Sequence, residues 1–305
     1  MNKNKFNLLF LLLVISTISE AQTYKNSLQE NNLKGTVKTI EETEYGTIDE
    51  AGKIEKETNS SGSTISTYNR NGNITEQKVV DSKGIMGFKT CFEYENKLKT
   101  KENSFNSKNK VTERWVATYN EKGKIKEAYR VFEGKNIEKV INTYDNKGNI
   151  LEEIWYMNDV ISSKKVYIYS EGNKTIEIKS LDSLGKLMTK EISTYNAQGI
   201  LLEENKFNYK DSLRGKTICI YNVKEQLIEE QSYGSKNTLE SRTIYVYDDK
   251  GNVMEEIEYD GKNQRTSNIK NTYTFDLQGN WIEKIEYDVE IKFGTIFKRK
   301  ITYYD

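Results

Sequence analysis

Tyr144-Asp145-Asn146-Lys147-Gly148-Asn149-Ile150-Leu151-Glu152-Glu153-Ile154-Trp155-Tyr156 decides the fold, because the chain repeats it. Tyr247-Asp248-Asp249-Lys250-Gly251-Asn252-Val253-Met254-Glu255-Glu256-Ile257-Glu258-Tyr259 is nearly a duplicate. Counted from Tyr68, the leading aromatic returns at Tyr94, Tyr119, Tyr144, Tyr169, Tyr195, Tyr221, Tyr247, Phe275 and Tyr304, in steps of 25 to 29 residues. A period so regular means one supersecondary unit copied along the chain.

Each copy reads as two strands and two turns. With the leading Tyr as position zero, Gly stands at +4 in Gly72, Gly123, Gly148, Gly199, Gly251 and Gly279, usually behind an Asp or Asn at +1. Asx-x-x-Gly between β-rich runs is hairpin-turn chemistry. Position −3 is almost always Ile or Val, and +6 is Ile, Leu, Val or Trp. A second turn follows each +12 position, as in Asp81-Ser82-Lys83-Gly84 and Asp182-Ser183-Leu184-Gly185. No 3.6-residue apolar period survives between these punctuations, so helix loses. The expectation is an all-β, antiparallel meander of roughly twenty strands. Open sheets rarely exceed about ten strands without curling, so an elongated, curved or spiralling sheet is expected.

The ends divide by pattern. Lys3, Lys5 and the apolar run Phe6 to Ile15, followed by Ser19-Glu20-Ala21, have the form of a secretory signal peptide over residues 1–21. Residues 22–31 carry no pattern and are expected to be a flexible lead. Residues 32–60 read as a degenerate first repeat that caps the array 61–305, with Lys298, Arg299 and Lys300 as charges on the opposite edge. An exported protein is implied, placed in the periplasm, at the cell surface or outside. The mature chain is expected to have no membrane span.

Composition narrows the chemistry. Removing residues 1–21 leaves 44 basic and 45 acidic residues, a balance without the footprint of a nucleic-acid binder. The chain has no His, which excludes Ser-His-Asp, Cys-His and His-zinc sites. Cys91 and Cys219 lie about five repeats apart and read as small buried residues rather than a disulfide.

Tyr-Asp-x-x-Gly-Asn-Ile/Val-x-Glu, as at 144–152 and 247–255, resembles the YD repeat of RHS-like proteins, over about residues 35–305. In long members such repeats spiral into a shell. The family occurs in exported and cell-surface proteins linked to adhesion, toxin delivery and carbohydrate binding. The resemblance implies a short stand-alone array in an exported protein. Neither a toxin domain nor a self-cleaving core is visible in this chain.

Two polar columns accompany the aromatics: Glu at +8 (Glu76, Glu127, Glu152, Glu177, Glu203, Glu229, Glu255, Glu283) and Lys or Arg at −5 (from Lys89 and Arg114 to Lys270 and Arg299). Glycoside hydrolysis needs two carboxylates in unlike environments, and eight equivalent glutamates do not supply them. The basic column reads either as a track for a polyanion or as structural partners of the glutamates. If the +4 Gly makes a bulged turn, Tyr at zero shares its face with +6 and +8, opposite −3 and −5. The ligand-contact candidates are Trp155, Tyr167, Tyr245 and Tyr273. No cofactor, metal or catalytic residue is expected. The reading is a non-enzymatic interaction scaffold with an unidentified protein or glycan partner; the alternative is a carbohydrate-binding module using the Tyr/Trp and Lys columns.

Overall fold

The computed structural model describes residues 25–305 other than 51, 52, 135, 171 and 173. The expected signal peptide therefore lies outside the described residues. Twenty antiparallel strands run from β1 (Val37–Glu50) to β20 (Phe293–Tyr303), each paired with its neighbours in sequence. No connection between consecutive strands exceeds five residues.

The expected open sheet does not occur. β1 pairs antiparallel with β20, from Val37↔Tyr303 to Ile48↔Phe293, and the meander closes into a barrel. An even number of antiparallel strands lets the first and last run antiparallel too, so their free N–H and C=O groups satisfy one another. Closure leaves no edge for the charges read from the C-terminal sequence to protect. Lys298 instead pairs with Glu283, and the Arg299 guanidinium meets the Glu42 carboxylate at 2.6 Å. If round in section, the barrel is on the order of 40 Å across between backbones.

The Tyr turns follow their sequence. Asp145 N–H donates to Asn149 O at 2.9 Å, and Gly148 N–H donates to Asp145 O at 3.0 Å. The Asp145 carboxylate accepts from the N–H groups of Lys147 and Asn149, each at 2.8 Å. Gly148 sits at φ +89°, where a Cβ is penalised. Asp248 and Gly251, φ +86°, repeat the arrangement.

Beyond every Tyr turn but that of Tyr169 the register shifts by one residue. Thr143 faces Glu152 while Tyr144 faces Ile150, so Leu151 is the extra residue of a bulge between β8 (Asn136–Tyr144) and β9 (Ile150–Met157). The bulge corrects the expected face assignment. Ile150 packs with Tyr144 and Tyr167 on the tyrosine face. Glu152, opposite Thr143 and Val166, falls on the other face with positions −1, −3 and −5.

Stagger identifies the inward face. From Thr67 to Glu76 to Cys91, cross-strand partners climb two residues away from the Tyr turns per hairpin. Barrel strands coil right-handed, so this drift sets the direction in which the chain winds around the axis. Tyr195 N–H donates at 2.8 Å to Lys174 O, at the entry to the preceding strand (Thr175–Asp182), and L-chirality then turns the Tyr195 side chain, with all that share its face, toward the lumen. Burial agrees. Ser66, Ala117, Tyr167, Ser193 and Cys219, at −2, are no more than 9 % exposed, whereas Ile168, Ile220 and Val246, at −1, are 38 to 45 % exposed.

Within the 22–31 stretch, α1 (Ser27–Glu30) is a single turn with an Asn26–Gln29 capping box. Its Leu28 is buried against Val37, Ile40 and Tyr68, with Leu33, Ile74, Ile301 and Tyr303 around them. This segment covers the inner wall at the β1–β20 seam, by the Tyr-turn mouth. Both cysteines are free, with Cys219 buried on the lumen face.

Candidate functional site: the lumen wall

The tyrosines form a ladder. Tyr144 Oη donates to Ile125 O at 2.7 Å, Tyr169 to Ile150 O at 2.9 Å, and Tyr247 to Leu227 O at 2.7 Å. Each ring thus spans two strands and satisfies a carbonyl of the preceding repeat. Phe275 has no hydroxyl. Tyr273, two residues earlier on the same face, supplies the bond instead, to Val253 O at 3.1 Å.

All four contact candidates face the lumen, but not together. Trp155 lies on β9, opposite Val140 and Ser163, and is 36 % exposed. Tyr167 lies on β10 (Val160–Tyr169), buried opposite Ile178. Tyr245 on β16 (Leu239–Tyr247) and Tyr273 on β18 (Arg265–Phe275) flank β17 (Val253–Asp260) several strands away. Burial, then the nearby Glu286 and Asp248, push the Tyr273 hydroxyl up to about 12. Burial, then Glu153, raise Tyr167; burial, then Glu256 and Glu230, raise Tyr245. These phenols stay protonated at neutral pH, and that of Tyr273 serves as a donor.

Between the rings runs a carboxylate band that column-by-column reading of the sequence missed, because it lies at +9 and +11 rather than in the conspicuous +8 column. Glu204, Glu230 and Glu256 pair with Ser193, Cys219 and Tyr245 respectively, and Glu258 and Glu286 with Thr243 and Asn271. Lys206 meets Glu204 at 2.7 Å, and Lys284 pairs with Glu286. Burial, then Glu258 and Glu286, raise Glu256 above the ordinary carboxylate range despite Lys284. Alternation down each strand from Glu152 or Glu255 would have found these side chains on the opposite face. Among the described residues, no group of three or more Cys, Asp or Glu is arranged to hold a metal ion.

The outer face spends its basic column internally. Lys164 pairs with Glu152, Arg242 with Glu229 at 3.9 Å, and Lys270 with Glu255 at 4.0 Å. The same column stacks on the +12 aromatic of the following strand. Lys190 lies 4.5 Å from the Phe207 ring, Lys216 4.6 Å from Tyr233, and Arg242 4.6 Å from Tyr259. Such cation–π contacts contribute about 0.5–1 kcal/mol each at exposed sites. Lys190 and Arg242 are also ion-paired, and all three are held on rings, which weakens the motive for an outer polyanion track.

No family model and no curated protein matches this chain. Among solved structures, it is similar to a porin-like protein from Bacteroides uniformis, 12% identical with a TM-score of 0.34, over 93% of this chain and 100% of that one. A porin-like protein from Bacteroides vulgatus is similar at 14% identity and a TM-score of 0.30, over 88% and 98%. The TcdB2-TccC3-TEV structure is similar at 15% identity and a TM-score of 0.29; 82% of this chain matches 16% of that one. At these scores the likenesses do not bear on function.

Proposed function

We propose that this chain is an exported, non-enzymatic YD-repeat barrel that acts as an interaction scaffold at the cell envelope or outside it, with water on both faces. The observation that carries the reading is the outer wall. Lys–Glu pairs cross it on strand after strand, where a lipid-facing barrel would present an uninterrupted apolar band about 25 Å tall. Burying one Lys or Arg at the bilayer midplane costs about 2–4 kcal/mol, and this wall carries one in most repeats. Every connection between consecutive strands is five residues or shorter, so none of these connections builds an enclosed reaction pocket. The +8 glutamates recur in one repeated environment along the outer wall, which argues against glycosidase chemistry in that column.

The test is fractionation of the native envelope with in situ crosslinking. The processed chain should leave membranes in detergent-free high-salt buffer and carry a reproducible crosslinked partner. Recovery only in detergent micelles would overturn the water-facing part of the reading; a monomeric, partner-free chain at native levels would overturn the scaffold part.

A further inference from the structure

We infer that the cleft between residues 31–34 and the ends of β18 and β19 (Trp281–Asp288), at the Tyr-turn mouth, binds a polyanionic ligand through its phosphate, sulfate or carboxylate groups. Lys34, Lys250, Arg299, Phe275 and Trp281 line it, and its lining contains no carboxylate. Glu256, Glu258 and Glu286 lie farther from the Tyr turns on β17 and β19 themselves, so the mouth is a local reversal of sign on the same wall.

The cations are held in place. The Lys250 ammonium lies 4.1 Å from the Phe275 ring centroid, and the Arg299 guanidinium 3.3 Å from that of Trp281. Lys34 is fixed through its backbone: its N–H donates to Asn280 Oδ1 at 2.8 Å, and Asn280 Nδ2 donates to Lys34 O at 2.9 Å. Asn280 is itself buried, so the clamp is part of the barrel end. Glu42 balances Arg299, but neither Lys34 nor Lys250 forms an ion pair with a described residue. Elsewhere in the −5 column Lys139, Lys164, Lys190, Arg242 and Lys270 pair with carboxylates; here two ammoniums share an opening without one.

Such an arrangement suits an oxyanion better than a cation or an apolar group. Like charges facing one cleft repel until an anion enters, and ring-stacked cations have already lost part of their hydration and freedom, so less is lost on binding. Two uncompensated charges call for at least two negative groups on the ligand. The inference stands apart from the scaffold reading, which survives whether or not this cleft binds anything.

The processed full-length barrel should be titrated by calorimetry with citrate, inorganic sulfate and a uronic-acid tetrasaccharide, beside a neutral tetrasaccharide. A polyanion should bind, weaken with added salt, and weaken about tenfold in each of Lys34→Gln and Lys250→Gln. Citrate binding with no gain for the tetrasaccharide identifies a small anion as the ligand; the reverse identifies an acidic glycan; either supports the cleft. Lys216→Gln on the outer wall should leave affinity unchanged. Should a Gln variant unfold by circular dichroism, Lys250→Arg, which keeps the charge, replaces it and should retain binding. No heat or chemical-shift change with any polyanion at 10 mM (about twice-physiological ionic strength avoided), equal binding of the neutral sugar, or unaltered affinity in folded Gln variants would overturn the inference.

Discussion

The hydroxyl of Tyr273 donates to the carbonyl of Val253 at 3.1 Å, completing a ladder in which Phe275 occupies the tyrosine position. Tyr273 and Phe275 lie on one face with ring centroids 6.1 Å apart. The repeat thus lengthens from 26 to 28 residues and still closes the same backbone bond two positions earlier.

Tyr273→Phe should therefore destabilise the barrel by about 1 kcal/mol, the net contribution of one such hydrogen bond, with Val253 O left to water. Adding Phe275→Tyr should return part of that loss. Chemical denaturation of the single and double variants measures both, and an unchanged midpoint in Tyr273→Phe would show that the bond contributes nothing.

Glu256 carries a cost at neutral pH. Burial, then Glu258 and Glu286, raise its folded value above that of the unfolded chain. A carboxylate raised on folding destabilises progressively as pH climbs through its unfolded and then its folded value, and costs nothing below both. Glu256→Gln should raise the melting temperature at pH 7 and lose that advantage below about pH 4. A constant offset at both pH values would point to packing instead.

Asp145 and Asp248 run the other way. Desolvation, the largest single contribution, raises each, but the hydrogen bonds from Asn149 and Asn252 and from the turn N–H groups together outweigh it and lower both. A depressed carboxylate contributes stability above its unfolded value that is lost as pH falls through the folded value. Asp145→Ala should destabilise at pH 7 and approach the parent below about pH 3. A difference that widens in acid would contradict the turn geometry.

Closure is testable at Glu41 and Lys300, direct partners across the seam. Such partners lie about 4.5–5.5 Å apart between Cα atoms, within disulfide reach. In a Cys91→Ser, Cys219→Ser background, Glu41→Cys with Lys300→Cys should oxidise to a faster-migrating species on a non-reducing gel. An open sheet would place these residues at opposite edges and give no intramolecular bridge.

Gly148→Ala should cost about 1 kcal/mol, because φ +89° is strained for any residue with a Cβ even though only the Lys122 stem approaches. Thermal melts check this; a neutral substitution would mean the turn relaxes to negative φ.

Much of this was legible in the residues. The Tyr-to-Gly spacing, the Asx turn and the β-branched −3 column are local instructions, read by backbone and side chain within one hairpin, so strand number, turn positions and antiparallel order follow from the chain alone. The wall chemistry was legible only in part. Trp155, Tyr167, Tyr245 and Tyr273 are all lumen-facing, but the carboxylate band of Glu204, Glu230 and Glu256 hid behind the more regular +8 glutamates. A bulge residue after most Tyr turns, such as Leu151, inverted the expected face of that column.

Amino-acid order by itself determined the repeat unit, its two turns and its alternation, because each depends on contacts within about a dozen residues. Only the tertiary structure decided that the sheet closes, which wall looks inward, and that Lys34 meets Lys250 and Arg299 at one mouth. Those outcomes depend on twist and stagger accumulated over twenty strands, which bring Val37 against Tyr303, and no single repeat contains that sum.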